Sequence, residues 1–487
     1  MNSIVEAVAA AAAQKPDTIA VIAEKQTITY SELWKETRGF AAYIRSLGLE
    51  KGERILVKSQ HSIWYVVACF GVHLSGCVFS PVEATIGDEG LKEIAGELSA
   101  SMVISNANIE GEHYIALNSS DVRSLAAENF DEAQEFDFPK SEELCDILFT
   151  TGTTGKSKGV MLTHKAVVAV IENFKYGVNV TPNNVFLIPA PINHGGGLRR
   201  IYLCMLTGTT AVLLNGFTGL KVFFEYIRDY HVTSVYMPPS AIRLVLLRGA
   251  QELVKYADQL DFIYTSSNAL PEADRERLIE LLPNTRLFQA YGATEAGAAC
   301  IFDYSKEKEK LYSAGRPTVN SHVFIADENK REIKSSKDNP GYIATSGPLV
   351  MSGYYNDPEL TKEVLVDGAV YSNDIGYIDE DGYLYVIGRR GDVINLGGLK
   401  IAPTEVENVV LRFPGIAECA CFAVEDKVSG IAVKLNIVEE AGADVDIRDL
   451  HEHMLKNLEK YKIPNKIEKV QMIPKTENGK IDRKVLK

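Results

Sequence analysis

Paired cysteines are missing from this chain. Its seven cysteines stand singly apart from Cys419 and Cys421, and no Cys-x-x-Cys or Cys/His grouping has zinc-ligand spacing. That excludes a zinc finger or a disulfide scaffold, and the odd count predicts a reducing compartment. A basic balance is also missing. Lys and Arg number 51 against 65 Asp and Glu, a formal net charge of −14. Such a surface disfavours nucleic acid and anionic membrane as main partners, while leaving room for local basic sites that bind a small anion. No apolar run suits a membrane span. The most apolar stretch, Ser62 to Ser80, is broken by His73 and two glycines and reads as a buried helix running into a strand. Met1 to Gln14 is alanine-rich without a basic leader and reads as a helix. The expectation is a cytoplasmic protein.

What is present is an ordinary globular balance, 46% hydrophobic and 24% charged, over 487 residues, which is too long for one core. Strand and helix patterns alternate from Thr27 onward: Ile55 to Lys58 and Met102 to Ser105 as strands, Ile63 to Leu74 and Asp88 to Leu98 as helices. This is the βαβ signature of a largely parallel sheet. Asn118 to Glu143 is acidic and poorly patterned and reads as a surface linker. Beyond Tyr291 the pattern changes to short strands with turn signals, which predicts a small barrel-like lobe. A polar joint at Arg389 to Asp392 marks the main boundary. The predicted fold class is α/β: a large N-terminal domain (1–390) of parallel-type sheets plus the lobe, and a small mobile α+β C-terminal domain (391–487).

Thr150 to Gly159 reads TTGTTGKSKG, with three glycines, four threonines, Ser157 and two lysines. Backbone N–H groups, hydroxyls and ammonium charge together make a phosphate cradle. It is not a P-loop, which needs glycine where Thr150 stands and a helix directly behind. Here Val160 to Leu162 form a second strand, and only then does Thr163 cap a helix.

Four further segments carry polar groups beyond what folding needs. In Gln289 to Gly297 (QAYGATEAG) a strand ends in a turn presenting Tyr291, Thr294 and Glu295. A lone carboxylate beside a phosphate loop suits Mg²⁺, although a helix N-terminus would also favour a glutamate. In Tyr371 to Arg390, Asp374 falls in a loop and can accept both hydrogen bonds of a ribose diol, with Arg389 within reach. In Asp392 to Glu407, Gly397 and Gly398 allow close backbone approach, while Glu405 and Glu407 read as helix caps. In the tail, Asn478–Gly479 is a tight turn projecting Lys480.

In this order the segments resemble the adenylate-forming enzymes: acyl-CoA synthetases, adenylation domains and firefly-type luciferases. The resemblance covers essentially the whole chain. It implies that Thr150, Thr151, Gly152, Thr153, Thr154, Gly155 and Lys158 close over ATP phosphates. Asn268, Ala290, Tyr291 and Gly292 would line the nucleotide, Glu295 would be the Mg²⁺ ligand with Thr294 beside it, and Asp374 with Arg389 would take the ribose. Gly391 would be the hinge, Lys480 the adenylation lysine, and Gly397, Gly398 and Lys400 the face of the thioester step. ATP, Mg²⁺, CoA and a small carboxylic acid are the implied ligands. The family loop usually has proline where Ser157 stands, and its hinge is more often acidic or lysine than glycine.

The acyl pocket is expected at Pro189 to Arg200 (PAPINHGGGLRR), with His194 as wall or gate and Gly195 and Gly196 as permissive backbone. Arg199, if it faces in, would take a second carboxylate or another polar group; otherwise it caps a helix or pairs at the surface. The expected activity is acyl-CoA synthesis through an acyl-adenylate. A stand-alone enzyme loading a carrier protein and a non-catalytic nucleotide-binding regulator stay open, as does a homodimer.

Overall fold

Parallel pairing dominates the two sheets that carry the larger part of the protein. This computed structural model describes every residue except 108, 152–156, 218, 397–398, 427–429, 476–480 and 487. Among the described residues, one sheet has nine strands. Its central run, Arg286–Ala293, Phe262–Thr265, Ser234–Tyr236, Val185–Ile188, Thr210–Leu213 and Ile19–Ala23, is parallel throughout. The other has seven strands, with Leu144–Thr151 beside Val78–Val82, Arg54–Lys58 and Met102–Ser105.

Helices Ile4–Gln14, Ile63–Ser75 and Gly195–Thr207 belong to one apolar cluster with strands of both sheets. Ile63–Ser75 is buried everywhere except Trp64, which is why its sequence is apolar all round. Helix Tyr30–Ser46 starts in a capping box, with Thr29 and Glu32 satisfying each other's backbone N–H groups. The core also holds a polar knot. His73 Nε2 and the Tyr202 hydroxyl both lie 3.0 Å from Asp146 Oδ1, and Cys145 lies 3.5 Å from the same imidazole nitrogen. Asp146 sits on the strand that leads into the threonine-rich loop.

A five-stranded antiparallel sheet, including Gly341–Ser346, Ala369–Ile378 and Leu384–Arg389, forms the predicted lobe. The C-terminal part packs helices Pro403–Val410 and Ile447–Asn457 on strands Ile416–Asp426, Gly430–Glu439 and Lys466–Lys469 around its own core.

Three readings need correction. Asn118 to Glu143 is not all linker: Val122–Glu128 is helical, with Val122 and Ala126 buried. Asp374 lies inside strand Ala369–Ile378, not in a loop. Glu407 is no simple cap. It is buried, accepts the Cys421 N–H at 2.8 Å and pairs with Arg483 at 2.5 Å, while Glu405 pairs with Lys462 at 2.7 Å.

Candidate active site

The hairpin of Arg286–Ala293 and Gly297–Asp303 organises the site. Its tightness needs glycine at 292, where a Cβ would stand 1.8 Å from the Gly297 carbonyl oxygen. Tyr291 lies on the first strand and donates its hydroxyl to Asp374 Oδ2 at 2.9 Å. Burial, reinforced by the Asp374 charge, keeps this phenol protonated well above its ordinary value. Asp374 is paired in register with Arg389 across the neighbouring hairpin, and Arg389 Nε stands 3.3 Å from Asp374 Oδ1. The structure therefore brings Tyr291, Asp374 and Arg389 together: an aromatic face beside a carboxylate and a guanidinium.

Glu295 lies in the turn of the same hairpin. No helix follows it, so the helix-capping alternative is removed. Its Oε1 accepts the Tyr354 hydroxyl at 2.8 Å, and its carbonyl accepts the Met351 N–H at 2.8 Å. Burial, then the Glu295 charge, raises the Tyr354 phenol far above its ordinary value, so it remains a donor. Tyr354 pairs with Val160 on the strand that leaves the threonine-rich loop, and Lys158 Nζ lies 5.7 Å from its ring centre. Thr150 faces Lys158 across the loop's two strands. Tyr354 was missed in the sequence, although two adjacent tyrosines after a Ser–Gly pair were a signal.

His194 caps helix Gly195–Thr207, which the glycines concealed in the sequence. Its Nε2 lies 3.5 Å from Glu83 Oε1 and 3.3 Å from Asn193 Nδ2. Arg199 and Arg200 are buried, so the surface-pair alternative is overturned. Arg199 donates to the Thr294 carbonyl at 3.1 Å, linking this helix to the turn that carries Glu295. Ala290 is buried in its strand, and Asn268 is exposed just beyond Phe262–Thr265. Lys400 pairs with Asn395 in a two-stranded hairpin, and Gly391 is exposed. Gly152, Thr153, Thr154, Gly155, Gly397, Gly398 and Lys480 lie outside the described residues.

The family model for AMP-binding enzyme matches residues 8–355, and that for AMP-binding enzyme C-terminal domain matches residues 405–480. The chain belongs to the AMP-binding enzymes. A feruloyl-CoA synthase from an Amycolatopsis species is 29% identical over 96% of this chain and 95% of its own length. ATP-bound MatB from Rhodopseudomonas palustris has the same fold, at a TM-score of 0.89 and 23% identity, covering 100% of this chain and 98% of that one. The O-succinylbenzoate coenzyme A synthetase of Bacillus subtilis in complex with ATP and a magnesium ion matches at a TM-score of 0.85 and 25% identity, with 98% of each chain covered. The protein is an acid–thiol ligase of the AMP-forming kind.

In this AMP-binding enzyme the donor set around Glu295 fits a magnesium ion. Mg²⁺ is usually held by one or two carboxylates with phosphate oxygens completing the shell. Tyr354 donates to only one of the two oxygens of the Glu295 carboxylate.

Proposed function

We propose that the two half-reactions of this ligase are divided between a 1–390 domain that holds ATP and acid and a 391–487 domain that changes its approach. ATP activates a carboxylic acid as the acyl-adenylate, and the thiol of CoA then takes the acyl group. The observation that carries the ATP site is the hairpin bearing both Tyr291 and Glu295: Tyr291 reaches the Asp374–Arg389 pair, and Glu295 reaches Tyr354 beside Lys158.

Tyr291, Gly292, Ala290 and Asn268 line the adenine. Asp374 and Arg389 hold the ribose diol, where a carboxylate accepts and a guanidinium donates. The Thr150–Gly155 loop and Lys158 face the β- and γ-phosphates. Glu295, with Thr294 beside it, would hold Mg²⁺, which when bound neutralises phosphate charge and acts as a Lewis acid.

A carboxylate and a triphosphate repel each other, so adenylation needs cationic groups aimed at the charge that develops on phosphorus. Lys480 would fill that role. The thiol must later reach the same carbonyl carbon, so Lys480 has to withdraw. Rotation at Gly391 would bring Gly397, Gly398 and Lys400 to the site, with His194 at the acyl wall. Support comes from the seam between the parts. Arg412 pairs with Glu272 and lies 3.6 Å from Glu276, and Arg243 donates to the Ile416 carbonyl at 2.8 Å. Such polar contacts release more readily than an apolar interface. Among the described residues no helix is long and apolar enough to cross a membrane; a cytoplasmic location fits CoA chemistry.

The test is a panel of carboxylic acids assayed for pyrophosphate and AMP release with and without CoA. Acid-dependent pyrophosphate release that CoA converts to steady AMP production is expected. Adenylation that CoA cannot turn over would assign a carrier protein as acceptor, and no adenylation of any acid would leave a nucleotide-binding regulator.

A further inference from the structure

Helix Gly195–Thr207 carries two guanidiniums into the interior; Asp146 and Glu295 attract Arg199 from a distance, but among the described residues no acid comes within ion-pair reach of either. Arg199 is 7% exposed and Arg200 3%. Among the described residues neither forms an ion pair, and the one hydrogen bond found for either is from Arg199 Nη2 to the Thr294 carbonyl. A buried charge without a close partner is destabilising, and two adjacent like charges are more so. Burial, then repulsion from Arg200, pulls the Arg199 pKa down to about 10, so it is still protonated at neutral pH.

The two arginines differ in what surrounds them. Arg200 is wrapped in rings, with its Cζ 3.7 Å from the centre of Phe174, 4.4 Å from Tyr264 and 5.2 Å from Tyr236. Its neighbouring cavity is only about 10 Å³, room for roughly one water. Cation–π contact accounts for Arg200 as a structural residue. Arg199 has no such cage. Its guanidinium lies against Gly195, where a Cβ would stand 3.2 Å from Cζ. At the next residue, Gly196, a Cβ would stand 3.0 Å from the Tyr236 hydroxyl, which in turn lies 3.0 Å from Ser266 Oγ. The backbone bared by these glycines therefore has a guanidinium on one side and a paired hydroxyl on the other, directly after His194. Arginine has five N–H donors, and one bond to Thr294 leaves most of them for a ligand.

We propose that the acid activated by this enzyme carries a second carboxylate, which sits on Arg199 with the Tyr236 hydroxyl beside it. The proposal rests on the ligase reading and names its substrate class: dicarboxylic acids. The reacting carboxyl is a poor match for Arg199. It loses its charge on adenylation, and a guanidinium that held it would stabilise the starting state rather than the transition state. A distal carboxylate keeps its charge throughout and offsets the buried guanidinium from binding to release.

The experiment uses the full-length protein with ATP and matched sets of aliphatic and aromatic acids. Each set holds a monocarboxylic acid, the dicarboxylic acid of the same carbon count, and its monomethyl ester. For at least one set, the diacid should exceed both uncharged-end partners in kcat/KM by on the order of 100-fold, mostly through KM. Arg199→Gln should collapse that ratio, and Arg199→Lys should restore part of it. The preferred diacid should raise the thermal midpoint of the parent protein but not that of Arg199→Gln. Equal use of diacids and half-esters by the parent protein overturns the proposal while leaving the ligase intact, and needs no variant to fold. Arg199→Gln slowing every acid alike, or weakening ATP binding without acid, would also overturn it by assigning Arg199 a positioning role at Thr294. Absence of pyrophosphate release with every acid would instead strike the ligase reading itself.

Discussion

The large and small parts of this enzyme are held in opposite ways. The large part has helices buried between two sheets, so moving one element would expose apolar surface at roughly 25 cal/mol per Å². The small part has its own core, with Val406, Val410, Leu450 and Met454 at its centre. The seam runs through Arg412, Glu272, Glu276 and Arg243. Polar contacts of this kind, with Arg412 half-exposed over a nearly buried Glu272, can be exchanged for others more readily than an apolar interface. Tyr291, Asp374 and Glu295, which the proposed mechanism needs at fixed spacing, are set in the first kind of structure; Lys480, which that mechanism needs to arrive and leave, belongs to the second.

The strongest way to break this contrast is Glu407→Ala. It leaves Arg483 buried without its partner, a loss of about 3–5 kcal/mol. Calorimetry should show the melting of the small part displaced downward while the large part keeps its midpoint; a common shift of both would mean that they unfold as one. Next, Lys480→Ala should lower pyrophosphate release by about 10²–10³-fold and leave hydrolysis or CoA transfer of a supplied acyl-adenylate nearly unchanged. Equal damage to both half-reactions would remove the separation of roles.

Near neutral pH the smallest effect is one of pH, growing as acid is added, and it belongs to the large part alone. Burial, then the neighbouring His73, pulls the His164 pKa from 6.5 to about 2. Between those values the unfolded chain binds a proton that the folded chain refuses. The stability due to neutral His164 is complete above pH 6.5 and is lost as pH falls toward 2. The large part's midpoint should start to drop below pH 6.5, ahead of the usual carboxylate range, and His164→Gln should flatten that limb. An unchanged limb in the variant would place the titration elsewhere.

The alternation of strand and helix was legible because apolar periodicity reports burial on one face at a time. The candidate site segments stood out because hydroxyls, glycines and lone carboxylates gather where folding alone gives no reason for them. What was hidden depends on distant partners. Glu407 has the signature of a cap until Arg483 arrives from the tail. Asp374 sits in a Ser–Asn–Asp run that looks like a turn, and pairing with Leu384–Arg389 overrides it. Helix Gly195–Thr207 opens with three glycines and two arginines, poor local evidence for a buried helix. Phe174 and Tyr264, far apart in sequence, make the place for Arg200.

The closeness of Gly292 to Gly297 has a consequence for anyone wishing to redirect the enzyme to a new acid. With the facing carbonyl where a methyl would go, every other codon at 292 is a folding lesion before it is a change of preference. A combinatorial library that randomises the whole hairpin from Arg286 to Asp303 would spend most of its clones on dead protein. Diversity placed at Gly195 and Gly196 meets the Arg199 and Tyr236 side chains instead of a rigid carbonyl, and there selection has something to choose between.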